Sequence, residues 1–309
     1  MGRFLVSIII ILLITSVFLV MSTFAIRMIF QATPKTLLYV NFTGNALPAD
    51  WSFQAAAGFV GGLNSTGAGG IQLLNGHYQH GVALYKYPIT GPNLVIELSG
   101  MYGLGYSTCC GENPPGMADD IGVGFYCDRP SAYDGHWNPG AIRGYYAAYE
   151  FYAGSSPALT YNSERDTPLA VSKAKMPSTG VNYILAQTIV TSSSVSMNMF
   201  NSTTAPFMAE PSTSPTNILT FQGAVSSPFS TFYIGAASGG GASNVYVYWV
   251  RVLSYPTSPR PPYPSLPIPE PPEHFLIIGL VMVPSLAILM VLRIRKSRER
   301  DDPLAVTRP

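Results

Sequence analysis

Hydrophobic and polar positions divide this chain into three regimes. Phe4 to Ala25 is a run of 22 residues and Phe275 to Leu292 a run of 18, neither with a charge. As helices they would measure about 33 and about 27 Å, close to the roughly 30 Å hydrocarbon core of a bilayer. Between them helical periodicity is scarce. Alternating, β-branched or aromatic runs bounded by Gly, Pro, Asn and Ser recur instead. They predict strands over Thr36–Phe42, Ile71–Leu74, Val82–Tyr87, Asn93–Ser99, Ile121–Cys127, Gly144–Tyr152, Tyr183–Thr191, Val195–Phe200, Phe229–Ile234 and Val245–Leu253. In the last of these, Val245, Val247, Trp249 and Arg251 alternate with Tyr246, Tyr248, Val250 and Val252, so one set is expected to face a core. Turn signals separate the runs at Asn75-Gly76, Asn113-Pro114-Pro115, Asp134-Gly135 and Gly239 to Gly241. The Ser-, Thr- and Pro-rich stretch Ser192–Pro228 reads as short strand-like pieces between exposed loops.

The boundaries follow. Residues 1–30 are expected to be a signal peptide or a signal-anchor helix, and 31–255 a single all-β ectodomain, a size that one sandwich or barrel accommodates. Residues 256–274 form a stalk: nine of the seventeen residues from Pro256 to Pro272 are proline. Proline fixes φ and removes donors, which favours a polyproline II spacer on the order of 50 Å long. Residues 275–292 are a transmembrane helix and 293–309 a basic cytoplasmic tail. Arg293, Arg295, Lys296, Arg298 and Arg300 follow the second hydrophobic run directly, and such clusters stay cytoplasmic. Arg3 biases the N-terminus the same way. The middle is therefore expected outside the cell membrane whether the first run is cleaved after Ala25, with the small residues Thr23 and Ala25 at the −3 and −1 positions, or retained, as its length permits.

An outside location would expose three glycosylation sequons, Asn41-Phe42-Thr43, Asn64-Ser65-Thr66 and Asn201-Ser202-Thr203. It would also permit a disulfide from Cys127 to Cys109 or Cys110; a vicinal ring, an intermolecular bond and three reduced thiols are the alternatives. With a formal net charge of +1 and 11% charged residues, the chain lacks the basic footprint of a nucleic-acid binder.

Three pieces, in this order, resemble concanavalin A-like jelly rolls, the L-type lectin superfamily. Asp119-Asp120-Ile-Gly-Val-Gly-Phe-Tyr126 is similar to the family's Gly-rich strand with a buried aliphatic and aromatic pair. Gly144-Tyr-Tyr-Ala-Ala-Tyr-Glu-Phe-Tyr152 is similar to its central strand, small and apolar residues followed by Glu-Phe-Asp. Phe232-Tyr-Ile-Gly-Ala-Ala with Val245–Val252 is similar to its closing strands. The resemblance implies a concanavalin A-like jelly-roll β-sandwich over Leu37–Leu253, flanked by hydrophobic helices at both ends, and a carbohydrate-binding function. Where the family's metal-binding aspartate follows Glu-Phe, this chain has Tyr152, so no cofactor is expected and Ca2+ is not supported. The low charge and abundant Tyr, Thr, Ser and Pro also resemble surface proteins of thermophilic archaea.

Candidate chemistry is sparse. Glycoside hydrolysis needs two carboxylates facing one cleft, and no strand supplies them at i, i+2: Glu97 and Glu150 stand alone and Asp119-Asp120 face opposite sides. His77 and His80 form at most a metal half-site, more simply an exposed hairpin. The loop between Cys127 and Arg143 best fits sugar recognition, because Asp128, Arg129, Tyr133, Asp134, His136, Trp137 and Asn138 mix aromatic platforms with polar groups. The alternative is that Trp137 simply covers a sheet edge. Trp51 and Trp249 read as core, and Glu150 joins the binding set through the resemblance. The expected function is a non-enzymatic, membrane-anchored lectin-like module for glycans or envelope glycoproteins. Its alternatives are a structural envelope component or adhesin and a tethered polysaccharide hydrolase.

Overall fold

The computed structural model describes residues 15, 34–108, 120–128, 143–151, 156–162, 168–178, 180–239 and 241–255. The expected terminal helices, the stalk, the tail, Cys109, Cys110, Arg129, Tyr133, Asp134, His136, Trp137, Asn138 and Tyr152 lie outside the described residues. Among those described, no helix is long and apolar enough to cross a membrane.

The described chain folds into two antiparallel sheets. The eight-stranded sheet contains β1 (Lys35–Asn41), β3 (Gly58–Gly61), β4 (Gly70–Leu74), β6 (Leu94–Thr108), β11 (Asn182–Val190), β12 (Ser194–Ser202), β13 (Thr216–Gln222) and β15 (Gly241–Ser254), in the order β13-β12-β11-β6-β15-β4-β3, with β1 also paired to β15. The seven-stranded sheet contains β2 (Trp51–Ala55), β5 (His80–Tyr85), β7 (Asp120–Cys127), β8 (Tyr145–Glu150), β9 (Ala158–Tyr161), β10 (Ala170–Val171) and β14 (Thr231–Ala237), in the order β10-β9-β8-β7-β14-β5-β2. The fold is thus all-β. Strands β2, β3, β9, β10 and β13 are absent from the sequence expectation.

Side-chain alternation makes the sandwich. In β6, Leu94, Ile96, Leu98 and Tyr102 point into the core between the sheets, while Val95, Glu97, Ser99 and Met101 point out. In β8, Tyr145, Ala147 and Tyr149 point in, and Tyr146, Ala148 and Glu150 point out. Within the core Tyr102 stacks on Phe151 at 3.9 Å between ring centroids. The Tyr149 and Thr188 hydroxyls meet there at 3.0 Å, a hydrogen bond from sheet to sheet. The strict alternation expected in β15 fails. A register shift between Val247 and Trp249 sends Val245, Val247, Val250 and Val252 inward and puts both Tyr248 and Trp249 outside. Trp249 is buried, as expected, but on the outer face of its sheet; Trp51 lies in the central core.

The outer face of β7 is built from glycine. Tyr146 from β8 and Tyr233 from β14 lean over it with parallel rings 5.8 Å apart. A Cβ on Gly124 would sit 1.6 Å from the Tyr233 ring, and one on Gly122 would sit 2.7 Å from the Tyr146 ring. Gly124→Ala is therefore expected to lower the unfolding free energy by about 1–3 kcal/mol, read as a lower guanidinium midpoint. An unchanged midpoint would mean that Tyr233 does not lie over Gly124.

Candidate functional site

Strand register creates a chemical neighbourhood at one end of the seven-stranded sheet. Asp120 stands opposite Glu150 across β7 and β8, and opposite Ala237 across β7 and β14; Ala237 stands opposite His80 of β5. The row Glu150, Asp120, Ala237, His80 thus runs across four adjacent strands on the outer face. Strands lie about 4.8 Å apart, so His80 and Asp120 stand about 10 Å apart across this row, and Asp120 and Glu150 are buried, 4% and 7% exposed. Directly opposed residues have Cβ atoms about 4.5–5.5 Å apart, which makes Asp120 and Glu150 a carboxylate pair. Asp120 Oδ1 accepts from the Ala237 backbone N–H at 2.8 Å, which fixes one face of the carboxylate.

The floor beneath this pair is apolar. Val82, Leu84, Tyr146, Ala148, Tyr233 and Cys127 form a cluster on the same outer face. Tyr146 donates its hydroxyl to Gly235 O at 3.2 Å. Burial holds that hydroxyl well above its ordinary range, and Asp120, Tyr233 and Glu150 add to the effect. It is therefore a fixed neutral donor. Burial likewise lowers the His80 imidazole, leaving it neutral at pH 7.

The β4–β5 turn, which leads directly into His80, carries an exposed aromatic residue. Tyr78 is 58% exposed and adopts φ 50°, a left-handed conformation uncommon for a bulky residue and frequent at functional sites. Its turn is held at several points. Tyr78 N–H donates to Gly239 O at 3.0 Å and Ser238 N–H to Gln79 O at 2.7 Å. Gln79 N–H donates to Ser238 Oγ at 3.0 Å, and Ser238 Oγ–H donates to Gly76 O at 2.8 Å. The sequence reading saw two incidental histidines here and missed Tyr78 between them.

The binding residues expected from sequence divide between the two ends of the sheet. Glu150 belongs to the row just described. Asp128 and Arg143 lie at the far end of β7, about 25 Å away along the strand, so Asp128 and Glu150 do not share one sugar-sized site. Asp128 N–H donates to Arg143 O at 2.8 Å, and an exposed ion pair joins their side chains. Together these close the foot of the 128–143 loop. The Arg143 guanidinium also lies 5.0 Å over the Phe229 ring. Asn41, Asn64 and Asn201 are all exposed. Glu97, read as isolated, is paired in register with Arg251 on the other sheet.

The expected disulfide partners of Cys127, Cys109 and Cys110, lie outside the described residues. Cys127 is a free, buried thiol at the far end of β7, with Sγ contacts to Phe125 O at 3.2 Å and Tyr145 O at 3.3 Å. As for cations, Ca2+ takes about 6–8 oxygens, and among the described residues no group of three His, Cys, Asp or Glu side chains is gathered. Asp120 and Glu150 by themselves fall short of such a set.

The chain is similar to the exoplasmic/lumenal domain of VIP36 in its Ca2+- and Man3GlcNAc-bound form, with TM-score 0.54 and 11% identity over 74% of this chain and 92% of that one. The metal-free form of the same domain gives 0.53 and 12% over 73% and 95%. A winged bean acidic lectin complexed with methyl-α-D-galactose gives 0.48 and 12% over 71% and 99%. At these identities the VIP36 likeness is one of fold, and the two sheets form the lectin-like β-sandwich that the sequence resemblance implied. No protein-family model matches the sequence, and no curated protein matches it at a significant level.

Burial pushes the Cys127 thiol far above its ordinary range, and only the thiolate alkylates. Iodoacetamide at pH 8 should leave the Cys127 peptide unmodified in the native chain and modify it fully in denaturant. Rapid native labelling would mean that this end of β7 is open.

Proposed function

We propose that this chain is a membrane-anchored cell-surface module that binds glycans or glycoproteins at the end of the seven-stranded sheet where Tyr78, Asp120 and Glu150 converge. The observation that carries this reading is the register that sets two carboxylates side by side at the end of the sheet to which the exposed Tyr78 turn is pinned. A pyranose offers an apolar C–H face and a rim of hydroxyls. The first suits the Tyr78 ring, and the second suits carboxylates, which accept charge-assisted hydrogen bonds. The Ala237 N–H fixes Asp120 before any sugar arrives, so little side-chain entropy is lost on binding. The lectin-like fold supports the class of ligand. The two uncharged runs, the arginine-rich end and the exposed sequon asparagines support display outside a membrane, with weak single sites strengthened by multivalency.

The Asp120–Glu150 pair also favours a second reading. Retaining glycosidases hold their two carboxyl groups about 5–5.5 Å apart, within the range that directly opposed strand residues allow. A hydrolase would release reducing sugar and lose that activity in Glu150→Gln, whereas a lectin releases none. An envelope component or adhesin would show ordered assembly without sugar binding.

Binding to a glycan array by the full-length chain should weaken about tenfold or more in Tyr78→Ala and in Asp120→Asn, the loss expected for one stacking platform or one charge-assisted hydrogen bond. Trp137→Ala should bind like the parent. Binding that survives the first two changes and disappears in Trp137→Ala would assign recognition to the 128–143 loop instead.

A further inference from the structure

The outer face of the eight-stranded sheet carries a polar row that the glycan site does not use. Tyr39, Arg251, Glu97, Gln187, Asn198 and Asn217 stand in register across β1, β15, β6, β11, β12 and β13. Their side chains form a chain of hydrogen bonds. Arg251 Nε donates to Glu97, Gln187 Nε2 to Glu97 Oε1 at 3.1 Å, Asn198 Nδ2 to Gln187 Oε1 at 3.4 Å and Asn217 Nδ2 to Asn198 Oδ1 at 2.8 Å. Outward-facing polar residues on a sheet are ordinarily wet, yet Glu97, Ser99, Gln187 and Asn198 are buried.

The connection from β12 to β13 lies over them. These strands are neighbours, but their loop reaches back across β11 and β6 to β15, about 14 Å at three strand spacings. It is tethered at two points. Phe207 O accepts from Ser99 Oγ at 2.6 Å and from Trp249 Nε1 at 2.7 Å, and Glu210 accepts from Arg251 at 2.7 Å. Phe207 also packs against the outer-face cluster that contains Trp249, its ring 6.2 Å from that of Phe200. Apart from the Glu210 side chain, residues 201–217 stay partly or fully exposed, and a cleft of about 390 Å3 lined by Met176, Phe200, Phe207 and Pro211 remains beside them, so this segment is not close-packed.

The second tether is electrostatically unbalanced. Glu97 and Glu210 share the single Arg251 guanidinium, with side chains 2%, 5% and 20% exposed. With both carboxylates ionised, one negative charge under the loop has no partner cation among the described residues of this cluster. Tyr255 faces the same cluster, and burial, with Glu97 and Glu210, pushes its hydroxyl up to about 12, so it stays neutral and supplies no compensating charge. Tyr39, Gln187 and Asn198 add none.

We propose that residues 203–215 are a proton-gated strap, docked on the eight-stranded sheet while the Glu210 carboxyl carries a proton and released as that proton leaves. Release uncovers the row from Arg251 to Asn198 and the Trp249 indole. Burial and then Glu97 push the Glu210 carboxyl up to about 7, against the opposing pull of Arg251. A carboxyl that holds its proton more tightly when docked than when free stabilises docking fully below the free value. The gain is lost as pH rises through the docked value, so docking should be firm near pH 5 and weakest above about pH 7.

Hydrogen exchange of the full-length chain, expressed as protection factors for peptides within 203–215, tests this. From pH 5 to pH 8 the strap should lose protection on the order of 50-fold, while β11 and β6 stay protected. Glu210→Gln keeps an acceptor for Arg251 and cannot ionise, so its strap should be equally protected at both values. Protection in the parent that does not change over this range would overturn the proposal. So would a Gln variant that shows the parent's loss, or one unprotected at both.

Discussion

The placement of β7 between β8 and β14 is the constraint on which the rest of the seven-stranded sheet depends. Two antiparallel ladders hold it, one placing Asp120 opposite Glu150 and the other placing Asp120 opposite Ala237. A slip of one residue in either would turn Asp120 into the core and Ile121 out of it. What prevents a slip is steric as well as hydrophobic. Ile121, Val123 and Phe125 fill the core on one side, and on the other Gly122 and Gly124 are the outward positions over which Tyr146 and Tyr233 can lie. The same alternation that packs the sandwich therefore sets a carboxylate on the outer face at this end of the sheet, with its orientation fixed by a backbone amide.

The two outer faces solve the problem of an exposed sheet surface differently. On the seven-stranded sheet, tyrosines from neighbouring strands cover a glycine strand and make an apolar floor that keeps the polar chemistry at its edge. On the eight-stranded sheet, a row of amides and an Arg–Glu pair satisfy one another laterally, and a loop carrying a second glutamate lies over them. The lateral hydrogen bonds fix the register of this row, while the second glutamate leaves its charge unbalanced. The first face is fixed by packing and the second by charge.

Much of this architecture was legible from residue pattern. Ten strands with β-branched or aromatic alternation appear where the pattern placed them. The five that escaped are short, glycine-bearing or marginal: Gly58–Gly61 is four residues, Ala170–Val171 is two, and Thr216–Gln222 is a half-exposed edge strand inside a Ser/Thr/Pro-rich stretch. Trp249 is buried as the pattern suggests, but the bulge that puts it beside Tyr248 on the outer face has no signature in hydropathy. The chemical pairs were hidden for another reason. Glu97 and Arg251 are 154 residues apart, and Asp120 meets Glu150 only through inter-strand register, which local periodicity cannot specify. Tyr78 had a local signal, an aromatic next to Asn75-Gly76 in a turn, but its importance comes from the turn's attachment to Ser238 and Gly239.

The most direct test is a crystal structure of the chain with a bound oligosaccharide, chosen from whatever glycan it retains in solution. The expected result is a sugar ring on the Tyr78 face with a hydroxyl within hydrogen-bond distance of Asp120 or Glu150. A saccharide seated at the Asp128–Arg143 end, or on the eight-stranded sheet, would contradict it.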